Sequence, residues 1–164
     1  MEPEPALHEI LVAIASRLGA RGEPLVLAES LTGGGLGQAL TALPGASAWF
    51  LGSVVAYADA TKRDWLGVPE EVLGRFGAVS EDVVRALLAG LRARSTASWM
   101  MATSGYAGPE GDPPGRVYIG WDRRMPGSGL PRVRRFDFGG DRESVRRQTV
   151  EAALRGLLYH LDEP

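Results

Sequence analysis

The distribution of apolar residues predicts helices and strands that alternate along the first two thirds of the chain. Apolar side chains recur every three or four positions from Ala6 to Leu18, which is typical of an amphipathic helix. The predicted elements are, in order, a helix over about 5–19, a strand at 24–28, a helix through Leu36, Leu40 and Leu43, a strand at 49–58, helices at 59–66 and 80–94, strands at 97–103, 116–121 and 132–138, and a last helix capped by Asp141. Early alternation followed by a late hairpin predicts an α/β fold with a mixed sheet covered by helices on both faces.

Length and charge narrow the functional classes. The chain has 164 residues and no obvious linker, so we expect one domain over residues 1–164. Its formal net charge of −2 provides no general attraction to nucleic acid. No stretch approaches the roughly 20 apolar residues needed to span a bilayer, and the acidic start lacks the features of a secretory signal. We therefore expect a cytoplasmic protein that binds neither membranes nor nucleic acid.

The turn after the first predicted strand combines hydroxyl groups with a run of glycines. Glu29, Ser30 and Thr32 precede three consecutive glycines, Gly33 to Gly35, and a helix starts there. Ligands of open α/β sheets bind outside the carboxyl ends of the strands, and the free N–H groups of a helix start suit a phosphate or an oxyanion. Neither the dinucleotide-binding glycine pattern nor the Walker pattern fits. The turn is therefore either a ligand site or an ordinary N-cap before a flexible helix start.

Lys62 is the only lysine in the chain, since the other 17 of its 18 basic residues are arginine. Arginine cannot be deprotonated in a protein, whereas a desolvated lysine can act as a base. Lys62 follows the second predicted strand, as Ser30 follows the first, and carboxyl ends of parallel strands lie on one side of a sheet. The spacing predicts that Lys62 activates Ser30 as a nucleophile, with Tyr57 orienting the amine or relaying a proton. A chance survival of one surface lysine is the alternative.

Other catalytic groups are scarce. The chain has no cysteine and two histidines, His8 and His160, both in the terminal helices and far from any glycine-rich turn. We therefore expect no Ser-His-Asp triad, no metal site and no cofactor. A third polar strand end, at Ser104 and Gly105, opens a glycine loop that either contributes to a ligand site or merely turns.

Arginines are dense in the last third of the chain. Arg142 follows Gly139-Gly140-Asp141 at the start of the last predicted helix. A guanidinium and the positive end of a helix act together on an anion, so Arg142 is the best candidate to bind a phosphate. The acidic total and the lack of interleaved aromatics argue against nucleic acid binding by these arginines.

Taken together, these segments resemble the C-terminal domain of CinA and its stand-alone relatives, the nicotinamide mononucleotide deamidases of the PncC type. The matching segments are LAESLTGG (27–34), LPGASAWFLGSVVAYADATKRDWLGV (43–68), GAVSEDVVRALLAG (77–90), SGYAGPEGDPPGRVYIG (104–120) and FGGDRESVRRQTVEAAL (138–154). The resemblance implies a three-layer α/β/α sandwich with a mixed, mostly parallel sheet of about five or six strands, usually in a homodimer. It implies hydrolysis of the carboxamide of nicotinamide mononucleotide to nicotinic acid mononucleotide and ammonia, without a metal or a cofactor.

The family's functional residues map onto this chain position by position. The resemblance makes Ser30, Lys62 and Tyr57 catalytic. It assigns substrate binding to Glu29, Thr32, Gly33, Gly34, Ser104, Gly105 and Arg142. The mechanism expected from the residues and the family together has Lys62 activate Ser30, whose oxygen attacks the carboxamide carbon. N–H groups near Gly33 and Gly34, or at Gly105, would hold the oxyanion.

Three departures from the family pattern bear on activity. Leu31 stands where the family usually has cysteine, Ser104 replaces threonine, and Tyr106 replaces isoleucine before a shortened loop. An altered loop beside the pocket leaves two alternatives to the deamidase. One is a nucleotide-binding module that is catalytically weak or inactive and is linked to competence and DNA damage. The other is an amidase acting on a different pyridine or purine ribotide.

Overall fold

The computed structural model describes residues 5–164, so the part of the single-domain prediction that covers residues 1–4 lies outside it. The elements are α1 (Pro5–Arg21), β1 (Leu25–Glu29), α2 (Gly35–Thr41), a 3₁₀ turn (Ala46–Ala48), β2 (Phe50–Val55), α3 (Asp59–Leu66), α4 (Glu70–Phe76), α5 (Glu81–Arg94), β3 (Trp99–Gly105), β4 (Arg116–Arg123), β5 (Arg132–Asp137) and α6 (Arg142–Asp162). Every predicted helix and strand is present. Two elements, α4 and the 3₁₀ turn, were not predicted, because they are too short for a clear periodicity.

The five strands form one mixed sheet in the order β2-β1-β3-β4-β5. β1 pairs in parallel with both β2 and β3, while β4 is antiparallel to β3 and to β5. Four strands therefore run in one direction and only β4 opposes them, as predicted for a mostly parallel sheet. Because α2 connects β1 to β2 and α3–α5 connect β2 to β3, the carboxyl ends of these three strands meet at one edge of the sheet.

Helices cover both faces of the sheet, which makes the fold a three-layer α/β/α sandwich. On one face α1, α2 and α6 bury a cluster that includes Ile14, Leu40 and Leu157. On the other face α3, α4 and α5 bury a second cluster that includes Leu66 and Leu88. The two clusters fix the sheet between two layers of helices, so its carboxyl edge is a rigid base for the segments that follow each strand.

α6 approaches the sheet closely because it carries Gly156. A Cβ added at Gly156 would lie 2.2 Å from Cζ2 of Trp121 on β4. The Trp121 indole N–H donates to the Ala153 carbonyl oxygen at 3.0 Å, which ties the ring to the same helix. The first turn of α6 reaches the carboxyl edge, so this contact helps to set its position there.

None of the helices between residues 5 and 164 combines the length and the apolar character needed to cross a bilayer.

We expect Gly156→Ala to destabilise the fold, because the new methyl group overlaps the Trp121 ring. Overpacking of this kind lowers the free energy of unfolding by about 1–3 kcal/mol. Gly19→Ala is the matched control, since Gly19 is an exposed glycine of α1 with no atom within 4 Å of an added Cβ. That change should instead stabilise the protein by about 0.5–1 kcal/mol through helix propensity. Urea unfolding of both variants measures the difference, and equal effects would contradict the packing argument.

Candidate active site

A cleft of about 330 Å³ opens at the carboxyl edge of the sheet. Its lining comes from the turn after β1, the segment after β2, the loop after β3 and the first residue of α6. These segments bring together Ser30, Tyr57, Lys62, Ser104, Gly105 and Arg142. Six of the ten predicted site residues, distant in sequence, thus line one cleft. A larger cavity, about 540 Å³ between β5 and α6, contains neither a serine nor a lysine and offers no comparable nucleophile.

Glu29 lies behind the cleft and holds the turn that carries Ser30. Its side chain is completely buried, and its two carboxylate oxygens accept five hydrogen bonds of 2.7–3.1 Å. The donors are the Thr32 and Ser53 hydroxyls and the N–H groups of Gly34, Leu36 and Gly37. The carboxylate therefore accepts hydrogen bonds from the otherwise unpaired N–H groups at the start of α2 and links that helix to β2. It does not line the cleft.

The N–H groups of Gly33 and Gly34 are already engaged within this turn. Gly33 donates to the Ser30 carbonyl oxygen at 3.0 Å, and Gly34 donates to Glu29 at 3.1 Å. Both glycines have positive φ, 59° and 99°, which lets the chain reverse direction before α2. In this conformation both N–H groups are occupied by bonds within the turn, so their role in holding an oxyanion stays a prediction.

Thr32 also lies behind the cleft wall. Only 1% of it is exposed, and its hydroxyl donates to Glu29 at 2.7 Å and lies 3.4 Å from the Thr103 hydroxyl. Thr32 therefore links the turn after β1 to β3. Its substrate-binding role, like those of Glu29, Gly33 and Gly34, has no support from the cleft lining.

Lys62 is buried on α3, with only 2% of the residue exposed. Its amine donates to the Tyr57 carbonyl oxygen at 2.9 Å and lies 3.7 Å from a carboxylate oxygen of Asp59. Burial lowers the pKa of this amine below its usual range, while the Asp59 carboxylate partly opposes that effect. The amine is thereby easier to deprotonate than that of a solvated lysine, as a general base requires.

Ser30 lines the same cleft as Lys62 but is not hydrogen-bonded to it. Ser30 is 7% exposed, and its hydroxyl has no bonding partner among residues 5–164. Tyr57 orients the Lys62 amine with its backbone carbonyl oxygen and not with its phenol. The Lys62 amine is bonded to Tyr57 rather than to Ser30, so the Ser-Lys pair stays a prediction.

Arg142 joins two sides of the cleft at its mouth. Its guanidinium donates to the Gly108 carbonyl oxygen at 2.9 Å and to the Tyr57 hydroxyl at 3.1 Å. Tyr57 is 60% exposed, so its phenol lies where a ligand would enter. Arg142 is itself exposed, so its positive charge lies at the opening of the cleft, and its role in binding a phosphate stays a prediction.

Ser104 and Gly105 shape the floor of the cleft. The Ser104 hydroxyl is buried and donates to the Ala78 carbonyl oxygen at 2.7 Å, so it fastens the segment before α5. A Cβ at Gly105 would lie 2.7 Å from Cγ2 of Val117 on β4. Glycine is thus needed there for close strand pairing, and its backbone is left facing the cleft.

Arg146, which was not among the predicted site residues, contacts the turn that follows Ser30. From α6, its guanidinium donates to the carbonyl oxygens of Leu31 and Thr32 at 3.1 and 3.2 Å. Arg142 and Arg146 are four residues apart on one helix, so they lie on the same face. That spacing was the available signal, although many other arginines in this region obscured it.

The two histidines lie outside the cleft. His160 packs edge-on against Trp121, with ring centroids 5.2 Å apart, and burial together with Arg132 lowers its pKa to about 4. Among residues 5–164, no three His, Cys, Asp or Glu side chains are grouped so as to hold a metal ion.

We expect Glu29→Gln to destabilise the protein strongly, since an amide N–H₂ would face groups that all donate. Loss of charged acceptors with buried donors left unpaired lowers the free energy of unfolding by about 3 kcal/mol. Glu70→Gln is the control, because Glu70 is exposed and pairs with Arg63 at the surface. This change should alter stability by less than about 1 kcal/mol. Thermal unfolding of both variants tests this, and a stable Glu29→Gln protein would contradict it.

Known proteins share both the sequence and the fold. The chain matches the model of the CinA C-terminal domain over residues 7–161. It is 46% identical over 156 residues to the nicotinamide-nucleotide amidohydrolase PncC of Pseudomonas putida. That alignment covers 90% of this chain and 95% of the relative. It is also 46% identical to a CinA-like protein of Anaeromyxobacter sp. (strain K), over 95% of this chain but only 38% of that longer relative.

Solved structures agree with this relation. The competence/damage inducible protein CihA from Agrobacterium tumefaciens superposes with a TM-score of 0.91 at 33% identity, over 99% of this chain and 100% of that one. A CinA superfamily protein from Klebsiella pneumoniae superposes with a TM-score of 0.89 at 38% identity, over 94% of this chain and 97% of that one. Since the family match and the PncC alignment each cover nearly the whole chain, this protein belongs to the CinA C-terminal domain family.

Proposed function

We propose that this protein is an amidohydrolase that converts nicotinamide mononucleotide to nicotinic acid mononucleotide and ammonia. The observation that carries the proposal is the cleft that Ser30 and the buried Lys62 both line, with Arg142 at its mouth. The name of the Pseudomonas putida relative states this class of activity for a protein 46% identical to this chain. The cleft suits a ligand with a carboxamide at one end and a phosphate at the other.

The reaction begins with proton transfer from Ser30 to Lys62. The neutral amine, favoured by burial, leaves the Tyr57 carbonyl oxygen and takes the hydroxyl proton as the Ser30 oxygen bonds to the carboxamide carbon. The C–N bond then breaks, and the protonated amine returns that proton to the departing nitrogen as ammonia. Water, activated by the same amine, releases nicotinic acid mononucleotide and restores the Ser30 hydroxyl.

Two groups position the substrate in this proposal. Gly105 is the remaining oxyanion candidate of those predicted, because its backbone lines the cleft while the N–H groups of Gly33 and Gly34 are engaged. Arg142 binds the phosphate at the mouth and exchanges its bond to the Tyr57 hydroxyl for one to the ligand. No metal or cofactor takes part in any of these steps.

A homodimer in the cytoplasm stays a prediction for this chain. The observation that favours self-association is the free edge of β2, where Leu51 and Val55 are 52% and 36% exposed. Residues 49–58 contain no charge, and an uncharged strand edge is one that proteins usually cover. The other edge of the sheet, β5, carries Arg132, Arg134 and Arg135, whose like charges oppose pairing with a second copy.

We expect Ser30→Ala and Lys62→Arg each to abolish most of the ammonia release from nicotinamide mononucleotide. Arginine keeps the charge but cannot act as a base, and loss of a general base lowers kcat by about 10²–10⁴-fold. Ser47→Ala, an exposed serine of the 3₁₀ turn, is the control and should keep full activity. Full activity in either of the first two variants would refute the assigned roles, and saturable binding without turnover by the unmodified protein would favour the nucleotide-binding module.

The rate should fall as pH falls through the pKa of Lys62, because the amine must be neutral to accept the Ser30 proton. Burial lowers that pKa below 10.5 and Asp59 raises it again in part. Asp59→Asn removes the opposing carboxylate, so the acid limb of the kcat profile should move to lower pH. Asp64→Asn, an exposed residue of the same helix, should leave the limb unchanged. A shift to higher pH in Asp59→Asn would contradict Lys62 as the base.

A further inference from the structure

Tyr106 lines the cleft from the loop that follows β3. It is partly buried, and its backbone is held at both polar atoms: its N–H donates to the Arg116 carbonyl oxygen at 2.9 Å, and its carbonyl oxygen accepts from Gly115 N–H at 2.8 Å. The side chain therefore projects from a fixed point of the loop, unlike a tyrosine at the tip of a flexible segment.

Gly111 holds the Tyr106 ring in place. A Cβ added at Gly111 would lie 2.4 Å from Cγ and 2.8 Å from Cδ1 of that ring, so the glycine backbone packs directly against it. Gly111 also has a φ of 118°, a conformation that side chains rarely adopt. The loop thus makes room for one aromatic ring, because any side chain at Gly111 would overlap it.

The charged residues that line the cleft together with Tyr106 suit a ligand with a positive and a negative end. Arg142 brings a positive charge to the mouth, while the carboxylates of Asp59 and Glu110 line the same cleft. A nicotinamide ring joined to ribose through its nitrogen is a pyridinium cation, and the face of a tyrosine ring attracts cations within about 6 Å. The phosphate of such a ligand would lie at Arg142 and its cationic ring deeper, beside the aromatic face.

We propose that Tyr106 is a specificity-determining residue that selects ligands with a cationic pyridinium ring over ligands with a neutral ring. The inference rests on the proposed function, since it takes the carboxamide-bearing ring to lie between Ser30 and the loop. The ring face interacts with the cation and adds little to a neutral dihydropyridine of nearly the same shape. Tyr106 would therefore change the ratio of two affinities, which a merely structural role would leave unaltered.

The test measures binding separately from turnover. In a Ser30→Ala background, calorimetry gives the Kd for nicotinamide mononucleotide and for its dihydro form, whose ring is neutral. The cationic ligand should bind more tightly, and Tyr106→Leu should reduce that preference roughly 3- to 30-fold, the range that corresponds to one cation–π contact. Tyr106→Phe keeps the ring face and should keep the preference. Gly111→Ala displaces the ring and should reduce the preference in the same direction.

Each outcome decides one of the two proposals. An unchanged preference in Tyr106→Leu would overturn the inference and assign ring selection to Asp59 and Glu110. Equal weakening of both ligands, or no binding of either, would overturn it as well. Ammonia release by the unmodified protein is measured in parallel. Ring selection that depends on Tyr106 without ammonia release would refute the amidase and leave Tyr106 as the selector in a binding module. Ammonia release without that dependence would support the amidase and overturn the role of Tyr106.

Discussion

The buried carboxylate of Glu29 is the interaction on which the rest of the cleft depends. It stands at the last residue of β1, accepts five hydrogen bonds, and fastens the start of α2 to β2. An isolated carboxylate this deeply buried would be very unfavourable, whereas one surrounded by donors is stable and rigid. Ser30 is the next residue, so the position of the candidate nucleophile follows directly from this network.

A second fixed point comes from α6, which approaches from the far end of the chain. Arg146 holds the carbonyl oxygens of Leu31 and Thr32, and Arg142 bridges Tyr57 and Gly108. The close contact of Gly156 with Trp121 sets how near the helix lies to the sheet. The cleft is therefore held from below by the sheet and from one side by a helix that packs in the opposite layer from α3.

Lys62 combines two properties that usually exclude each other. It is a potentially charged group with 2% exposure, yet it retains a carbonyl acceptor and a nearby carboxylate. The carbonyl oxygen accepts a hydrogen bond from the amine, and the carboxylate compensates its charge in the protein interior. Burial, in turn, makes the amine easier to deprotonate. The same balance makes Asp59 a regulator of the amine's basicity, and it explains why arginine, which remains charged, is not an equivalent residue at this position.

Local pattern was enough to predict most of the secondary structure, because apolar periodicity and strand-end turns are properties of neighbouring residues. The order of helices and strands and the parallel pairing of β1 with β2 follow from it. So does the expectation that the strand ends carrying Ser30, Lys62 and Ser104 share one edge of the sheet. The approach of Arg142 to that edge does not follow from local pattern, because it depends on how α6 packs. The short α4 did not, since seven residues carry too little periodicity. The isolation of Lys62 among arginines was equally visible in composition alone.

Tertiary structure alone decided which polar residues face the cleft and which lie behind it. Glu29, Thr32, Gly33 and Gly34 sit in the same motif as Ser30, yet their polar groups are turned inward. The Glu29 and Thr32 side chains contact α2, β2 and β3, and the N–H groups of the two glycines bond Ser30 and Glu29 within the turn. Which donor meets which acceptor at the cleft depends on residues far apart in the chain, such as Arg146 and Leu31, which are 115 positions apart. Spacing along the chain cannot specify such contacts, because they exist only once both layers of helices have packed on the sheet.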